Sequence, residues 1–376
     1  GSGGIALNGN VTTTGDNVVF NDDVTLGVAA PTVNTGAGGG DVDFQGTING
    51  GSALTVAAGT GSVSVGDVGT TTPLSSLDIS GASVDLGGNI TTGGDVTISG
   101  ATNLSASVVI DSAAGDGAVN ISAGSLTNSA DENLTINSGA GAVTLADVSV
   151  NTLSVTTGGA AAVGAVTNTG DIDISADSIT ASGAMSGDNI SLAAASAAVA
   201  LPQVTAANNL SVQAGGNISA TGSIQAGGDA SFVSTGAITL DQANSTYGSL
   251  SLVGASAVVD EEDATELAAA NITGDLTLTS GGNITDSGTV TVGGAATLTA
   301  DGGAADITLA DGASTFGSLV LTATNASVVE ADSTDLGASS IASDLTVNSG
   351  GDITDSGTLT VGGAATLNAA GDIVLD

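Results

Sequence analysis

The chain has no lysine, arginine, histidine or cysteine in 376 residues, three prolines, and aromatic side chains at only 1% of positions. Each absence removes a class of chemistry. Nucleic-acid backbones are held mainly by Lys and Arg, so a nucleic-acid partner is excluded. Zinc, copper, haem and iron–sulfur sites need imidazole or thiolate ligands. Ser-His-Asp and Cys-His catalysis lack their base, and a nucleotide site would have no cation against the phosphates. Paired carboxylates could run glycoside hydrolysis, but no acid pair stands out and no aromatic platform accompanies one. The sequence reads as non-enzymatic. What remains is carboxylate and hydroxyl chemistry and metals that take oxygen ligands. The absence of cysteine fits either side of a membrane. The most apolar stretch, Leu192 to Leu201, is well below the roughly 20 residues of a spanning helix.

What is present is acid, glycine and small apolar residues. Asp and Glu number 38 against no cation, giving a formal charge of −38, and there are 59 glycines. Disordered acidic chains combine high charge with low hydrophobicity. Here the hydrophobic share is 41% and the mean hydropathy +0.40, so the chain is expected to fold.

Internal repetition sets the expected architecture. The segment DLTLTSGGNITDSGTVTVGGAATLTA from Asp275 matches DLTVNSGGDITDSGTLTVGGAATLNA from Asp344 at 21 of 26 positions, 69 residues apart. A weaker copy, NLSVQAGGNISATGSIQAGGDASF, starts at Asn209, so the repeat is clearest over 209–376. STYGSLSL from Ser245 and STFGSLVL from Ser314 show the same offset. Triplets such as Leu276-Thr277-Leu278, Val290-Thr291-Val292 and Ile307-Thr308-Leu309 alternate with period two, the mark of strands, and Gly-Gly, Gly-Asn, Gly-Asp and Ser-Gly pairs punctuate them as turns.

Leucines opening strands recur at Leu276, Leu298, Leu319 and Leu345, which predicts coils of about 21–26 residues, three per long repeat. The fold expected is all-β: a β-solenoid of roughly 17 coils at that spacing, forming one elongated domain over 1–376. Helical periodicity is confined to a weak Ala-rich patch near Glu261 to Ala270, read as a loop or single turn. Phe20, Phe44, Phe232, Tyr247 and Phe316 are expected as wedges at corners or in wider coils of a narrow core.

Runs such as GDLTLTSGGNITDSGTVTVGG resemble the repeat region of filamentous haemagglutinin-type secreted passengers, and the phrases around TPLSSL and TGSVSV resemble β-strand-repeat surface proteins of bacteria. The resemblance covers essentially the whole chain through loose Gly/Thr patterns. It implies a right-handed parallel β-helix, export, and a role as adhesin, fibre or surface layer. The family's N-terminal secretion domain is not recognisable, and the lack of Lys and Arg departs from it.

Acidic residues at turns are the candidate site. Stacked coils are expected to place like charges in columns, with two charges about 4.8 Å apart repelling by roughly 0.9 kcal/mol in bulk water. External cations would then screen them, and Ca²⁺ suits Asp, Asn and carbonyl oxygens. Asp41 and Asp43, the run Asp260-Glu261-Glu262-Asp263 (equally a plain loop), Asp286 and Asp355 are the candidate ligands. Thr-x-Thr pairs (Thr277 and Thr279, Thr289 and Thr291, Thr297 and Thr299) could line a flat ice-binding face, although Thr is also an ordinary outward strand residue. Asn-x-Ser/Thr triplets at Asn10, Asn89, Asn133, Asn189, Asn217 and Asn283 read as by-products of Asn opening a strand.

The first and last residues lie inside strand patterns without a cap, from which continuation of the chain or end-to-end stacking is expected, since uncapped solenoid ends expose pairing-ready backbone. The functional expectation is an extracellular structural protein of the bacterial cell surface, self-associating end to end into filaments. The alternative is an adhesin passenger whose lateral face binds a receptor, glycan or neighbouring cell through an insertion near Val258 to Ala270.

Overall fold

The structure, a computed structural model, describes residues 3–27 and 30–376. It is a β-solenoid of about 18 turns in which the strand pairings are parallel. The only helical elements among the described residues are two single 3₁₀ turns, Ala113–Gly115 and Asp301–Gly303. No helix among them is long and apolar enough to cross a membrane. The chain divides into two compact units, Gly1–Ala195 and Ser196–Asp376, built alike.

In each unit the period-two pattern works as strand geometry requires, with alternate residues pointing inward and outward. The inward residues stack on their equivalents one coil away. In the first unit Leu54, Leu77, Val96, Val119, Val143 and Ala161 form one such column, and Leu134, Leu153, Ile172 and Ile190 another. All are essentially buried. Phe20 and Phe44 are ladder partners whose rings stack at 4.6 Å between centroids. The aromatics thus sit in the core columns of the strands. In the second unit the fully buried Phe232 meets Tyr247 edge-on at 6.0 Å.

The coil is more variable than the leucine spacing suggests. Ladder partners lie from 17 residues apart, at Leu319 and Leu336, to 26 apart, at Val108 and Leu134. The spacings overlap the expected 21–26 and extend below it, because recurring leucines are not ladder partners. Leu276 faces Ala296, and Leu298 faces Leu278. Each 26-residue motif begins with a strand that pairs with its own last strand, as Leu210 with Ala230, Leu276 with Ala296 and Leu345 with Ala365.

The 69-residue repeat is also not three coils. Leu276 belongs to the ladder Ile238–Ala257–Leu276–Ala296–Leu319–Leu336. Leu345 belongs to a second, Thr265–Ile284–Ile307–Ala326–Leu345. Leu210 belongs to a third, Leu210–Ala230–Leu250–Leu267. From Leu276, three ladder steps end at Leu336, and Leu345 lies on the next face. Each successive copy of the motif therefore starts one face further round the coil.

Candidate functional site

The turn acids do a structural task that their count alone does not disclose. The residue preceding a strand is repeatedly Asp or Asn, and its side-chain oxygen accepts the backbone N–H preceding the partner strand in the next coil. The amides of Asp229, Ala295 and Ala364 donate in this way to Asn209, Asp275 and Asp344, the equivalent positions of the three motif copies, each at 2.9 Å. The second turn of the motif repeats the device. Asn217, Asn283 and Asp352 accept from Ala237, Asp306 and Asp372 at 3.0, 3.0 and 2.8 Å. In the first unit Asp67, Asp95 and Asp147 do the same for Asn89, Ala118 and Ala165. A carboxylate accepting an N–H makes a charge-assisted bond, roughly twice as strong as a neutral one. The glycosylation-like triplets have the same explanation, since Asn10, Asn89 and Asn133 also accept next-coil amides.

The eight acids singled out as Ca²⁺ ligands fall into this framework separately. Asp41 accepts both the amide and the hydroxyl of Ser62 at 2.8 Å, which hold its carboxyl below the usual range. Asp43 points outward from its strand and accepts from Gln45. Asp286 takes the amides of Ala310 and Asp311 at 2.6 and 3.2 Å, and Asp355 that of Asp376 at 2.9 Å. Asp260 is half-buried, Glu262 and Asp263 are exposed, and Glu261 is buried. Among the described residues no three acidic side chains gather into a group that could hold a metal ion.

Two expectations about this region are corrected. The run 260–263 is not a plain loop, because Ser256–Glu261 is a strand, and the Ala-rich patch is largely the strand Thr265–Ile272. Between Leu267 and Ala269 a register shift breaks the alternation, which is why period two was invisible there. With both segments paired into the coil stack, no insertion projects near Val258 to Ala270.

Among the described residues, like charges do not face one another in the registered strand pairs. Every acid in the registered pairs above faces a neutral residue: Asp43 faces Val19 and Ser64, Asp173 faces Ser154 and Ser191, and Asp260 faces Thr279. At the corners Asn alternates with Asp along Asn283–Asp306–Asn325–Asp344, each accepting from the next. Acid follows acid at Asp286 and Asp311, at Asp352 and Asp372, and at Asp355 and Asp376.

Two glutamates stand apart. Glu261 and Glu330 are each only 2% exposed. Glu261 Oε1 accepts the amide of Tyr247 at 2.9 Å, and the hydroxyl of Thr265 donates to its Oε2 at 2.6 Å. Sixty-nine residues on, Glu330 Oε1 accepts the amide of Phe316 at 2.8 Å. Its Oε2 and the Thr334 hydroxyl are both buried and lie near each other without a well-formed hydrogen bond. Burial pushes both carboxyls up, each to about 7. Neither residue's buried state was anticipated, yet the signal was available: each Glu lies 14 residues after the aromatic of an STYG or STFG phrase.

The profile of a family described as repeats of unknown function (DUF5649) matches residues 187–253, 254–323 and 323–376, just over half of the chain. The chain belongs to this family. No curated protein and no solved structure matches it. Each DUF5649 match contains one copy of the Asx–strand–Gly-Gly motif. The buried glutamates occupy the joins: Tyr247 lies in the first match and Glu261 in the second, Phe316 in the second and Glu330 in the third.

Outside the DUF5649 matches, the first unit carries a shallow lateral groove of about 380 Å³. Ser125, Thr144, Asp147, Thr180 and Ser182 line it, with Val163 in its floor. Asp147 uses one oxygen for the Ala165 amide at 2.8 Å. Within the repeats, Thr277 and Thr279 face Thr297 and Thr299 as a two-by-two patch, but Thr297 then meets Val320.

Proposed function

We propose that the chain is an extracellular, non-enzymatic structural protein, a segment or subunit of a bacterial cell-surface fibre of the filamentous haemagglutinin-like kind, joined end to end. The observation that carries this reading is the advance of each repeat by one face. Motif copies on three different ladders use the same corner acceptors toward the next coil, so one kind of coil-on-coil contact serves all three. A further repeat can be laid on the last without any new kind of contact, which suits a protein whose product is length. Surface features placed by such a repeat are spread around the coil, as a laterally uniform fibre requires. Divalent cations such as Ca²⁺ enter as diffuse screening of the −38 charge, because the corner carboxylates are already engaged by amides.

Electron microscopy of the purified chain at high concentration, with calcium and with chelator, tests this. Continuous filaments that shorten or dissociate on chelation are expected. A chain that stays strictly monomeric in both conditions overturns it.

The adhesin reading is favoured by one feature, the lateral groove, whose hydroxyls and carboxylate suit the hydroxyls of a glycan. A glycan-binding screen with the chain and with a Thr144→Val, Thr180→Val variant tests it. Binding that survives the double substitution removes the groove from consideration.

A further inference from the structure

We propose that Glu261 and Glu330 are protonation latches between consecutive repeats, closed while the carboxyl is neutral and loosened when it ionises, so that the joins are tighter in acidic than in neutral medium. The geometry is one in which burial outweighs the few donors that reach each carboxyl. Each side chain is buried at the join, held by one backbone N–H from the preceding repeat, in a chain with no cation to pair with it. An ionised carboxylate so placed lacks the partners that offset burial of charge. At Glu330 the carboxyl has still less support than at Glu261. Oε2 and Thr334 Oγ are buried without a well-formed hydrogen bond, at the positions where Glu261 and Thr265 sit 2.6 Å apart. An oxygen buried without a formed hydrogen bond is costlier to leave charged than neutral.

The surroundings act in the same direction. Around Glu261 the titratable neighbours are Asp260 and Asp263 beside it and the Tyr247 phenol from the coil on one side. The coil on the other side offers Ser280 as ladder partner and no titratable group in Leu276–Ser280. Around Glu330 there is Asp332 beside it, while Thr315–Ala323 and Leu345–Ser349 contribute none. No neighbour stabilises the anion by charge, and the nearby aspartates oppose it. The raised carboxyls, each at about 7, agree with this. Because the folded value lies above the unfolded one, the native state keeps a proton that the unfolded chain releases. The stabilisation is complete below about pH 4.5 and disappears as pH rises through about 7.

The test uses the full chain labelled with ¹³C at the Glu carboxyls, together with Glu261→Gln and Glu330→Gln. Two carboxyl signals with midpoints near neutrality are expected, each missing in one variant. Amide exchange at Tyr247 and Phe316, corrected for intrinsic rate, is expected to lose protection by about tenfold per pH unit between about pH 5 and 7. Gln keeps the acceptor for the amide, so each variant is expected to flatten the slope at its own join only. Carboxyl signals that all titrate in the ordinary range overturn the proposal in the unmodified chain, whatever the variants do. Equal pH slopes with and without the glutamates overturn it as well.

Discussion

Replacing Asn325 by Asp tests the alternation of charge at the corners. Asn325 sits between Asp306 and Asp344. Its amide and its Nδ2 both donate to Asp306 Oδ1, at 3.0 and 2.9 Å, and its own Oδ1 accepts the Asp344 amide at 3.2 Å. The substitution keeps shape and acceptor but makes three carboxylates succeed one another. At a coil spacing of about 4.8 Å, each new contact costs about 0.9 kcal/mol in bulk water, about 2 kcal/mol for the pair. Loss of the Nδ2 donor to a carboxylate adds about 2 kcal/mol. The expected destabilisation at low salt is therefore about 4 kcal/mol. Asn325→Ala adds no charge but removes both the donor to Asp306 and the acceptor of the Asp344 amide, and is expected to cost about 3 kcal/mol. Urea unfolding at about 0.01 M and about 1 M salt separates the two, because the Debye length falls from about 30 to about 3 Å. The excess cost of Asn325→Asp over Asn325→Ala should disappear in high salt. If Asn325→Asp is no worse than Asn325→Ala at low salt, or the gap is indifferent to salt, corner alternation does not control repulsion.

Other consequences can be measured separately. Phe232→Ala removes a fully buried ring packed on Tyr247 and is expected to cost about 3–5 kcal/mol in the same unfolding assay. Gly100 has φ +146° and a Cβ there would strike the Gly81 carbonyl, whereas Gly51 has open space around it; Gly100→Ala should destabilise clearly and Gly51→Ala hardly at all. Asp23 and Asp41 are held below the usual carboxylate range by the amides of Thr47 and Ser62. Their contribution is present above the unfolded value of 3.8 and is lost as pH falls through the lower folded value. An acid titration of stability should therefore be shallower in Asp23→Ala and Asp41→Ala than in the unmodified chain. The corners and the buried glutamates thus act in opposite directions with pH.

Strands and stacking were legible in the sequence because alternation of Val, Leu and Ile with Thr and Ser is a local signal. Register was not. A leucine at 298 looks like the successor of Leu276, but the chain reaches Leu276's neighbour two residues sooner, at Ala296, and small residues leave no mark of being ladder partners. The advance by one face was hidden for the same reason, since it depends on which strands pair and not on which recur. The acids were visible as a charge count, which suggested cations; what the sequence does not display is the backbone N–H that arrives from the next coil to meet each one. Thr265–Ile272 escaped notice because its bulge interrupts the alternation. In the sequence Glu261 reads as one member of an acidic run and Glu330 as an isolated acid, though their recurrence after the two aromatic phrases distinguishes them.

The one-face advance also bears on how such a chain can change over generations. Two near-identical stretches 69 residues apart invite unequal recombination in the gene, and loss or gain of one whole unit leaves every coil seated on a coil. Everything downstream is then turned by one face relative to everything upstream. A length variant in this family is therefore also a rotational variant, with its features re-aimed without a single point mutation.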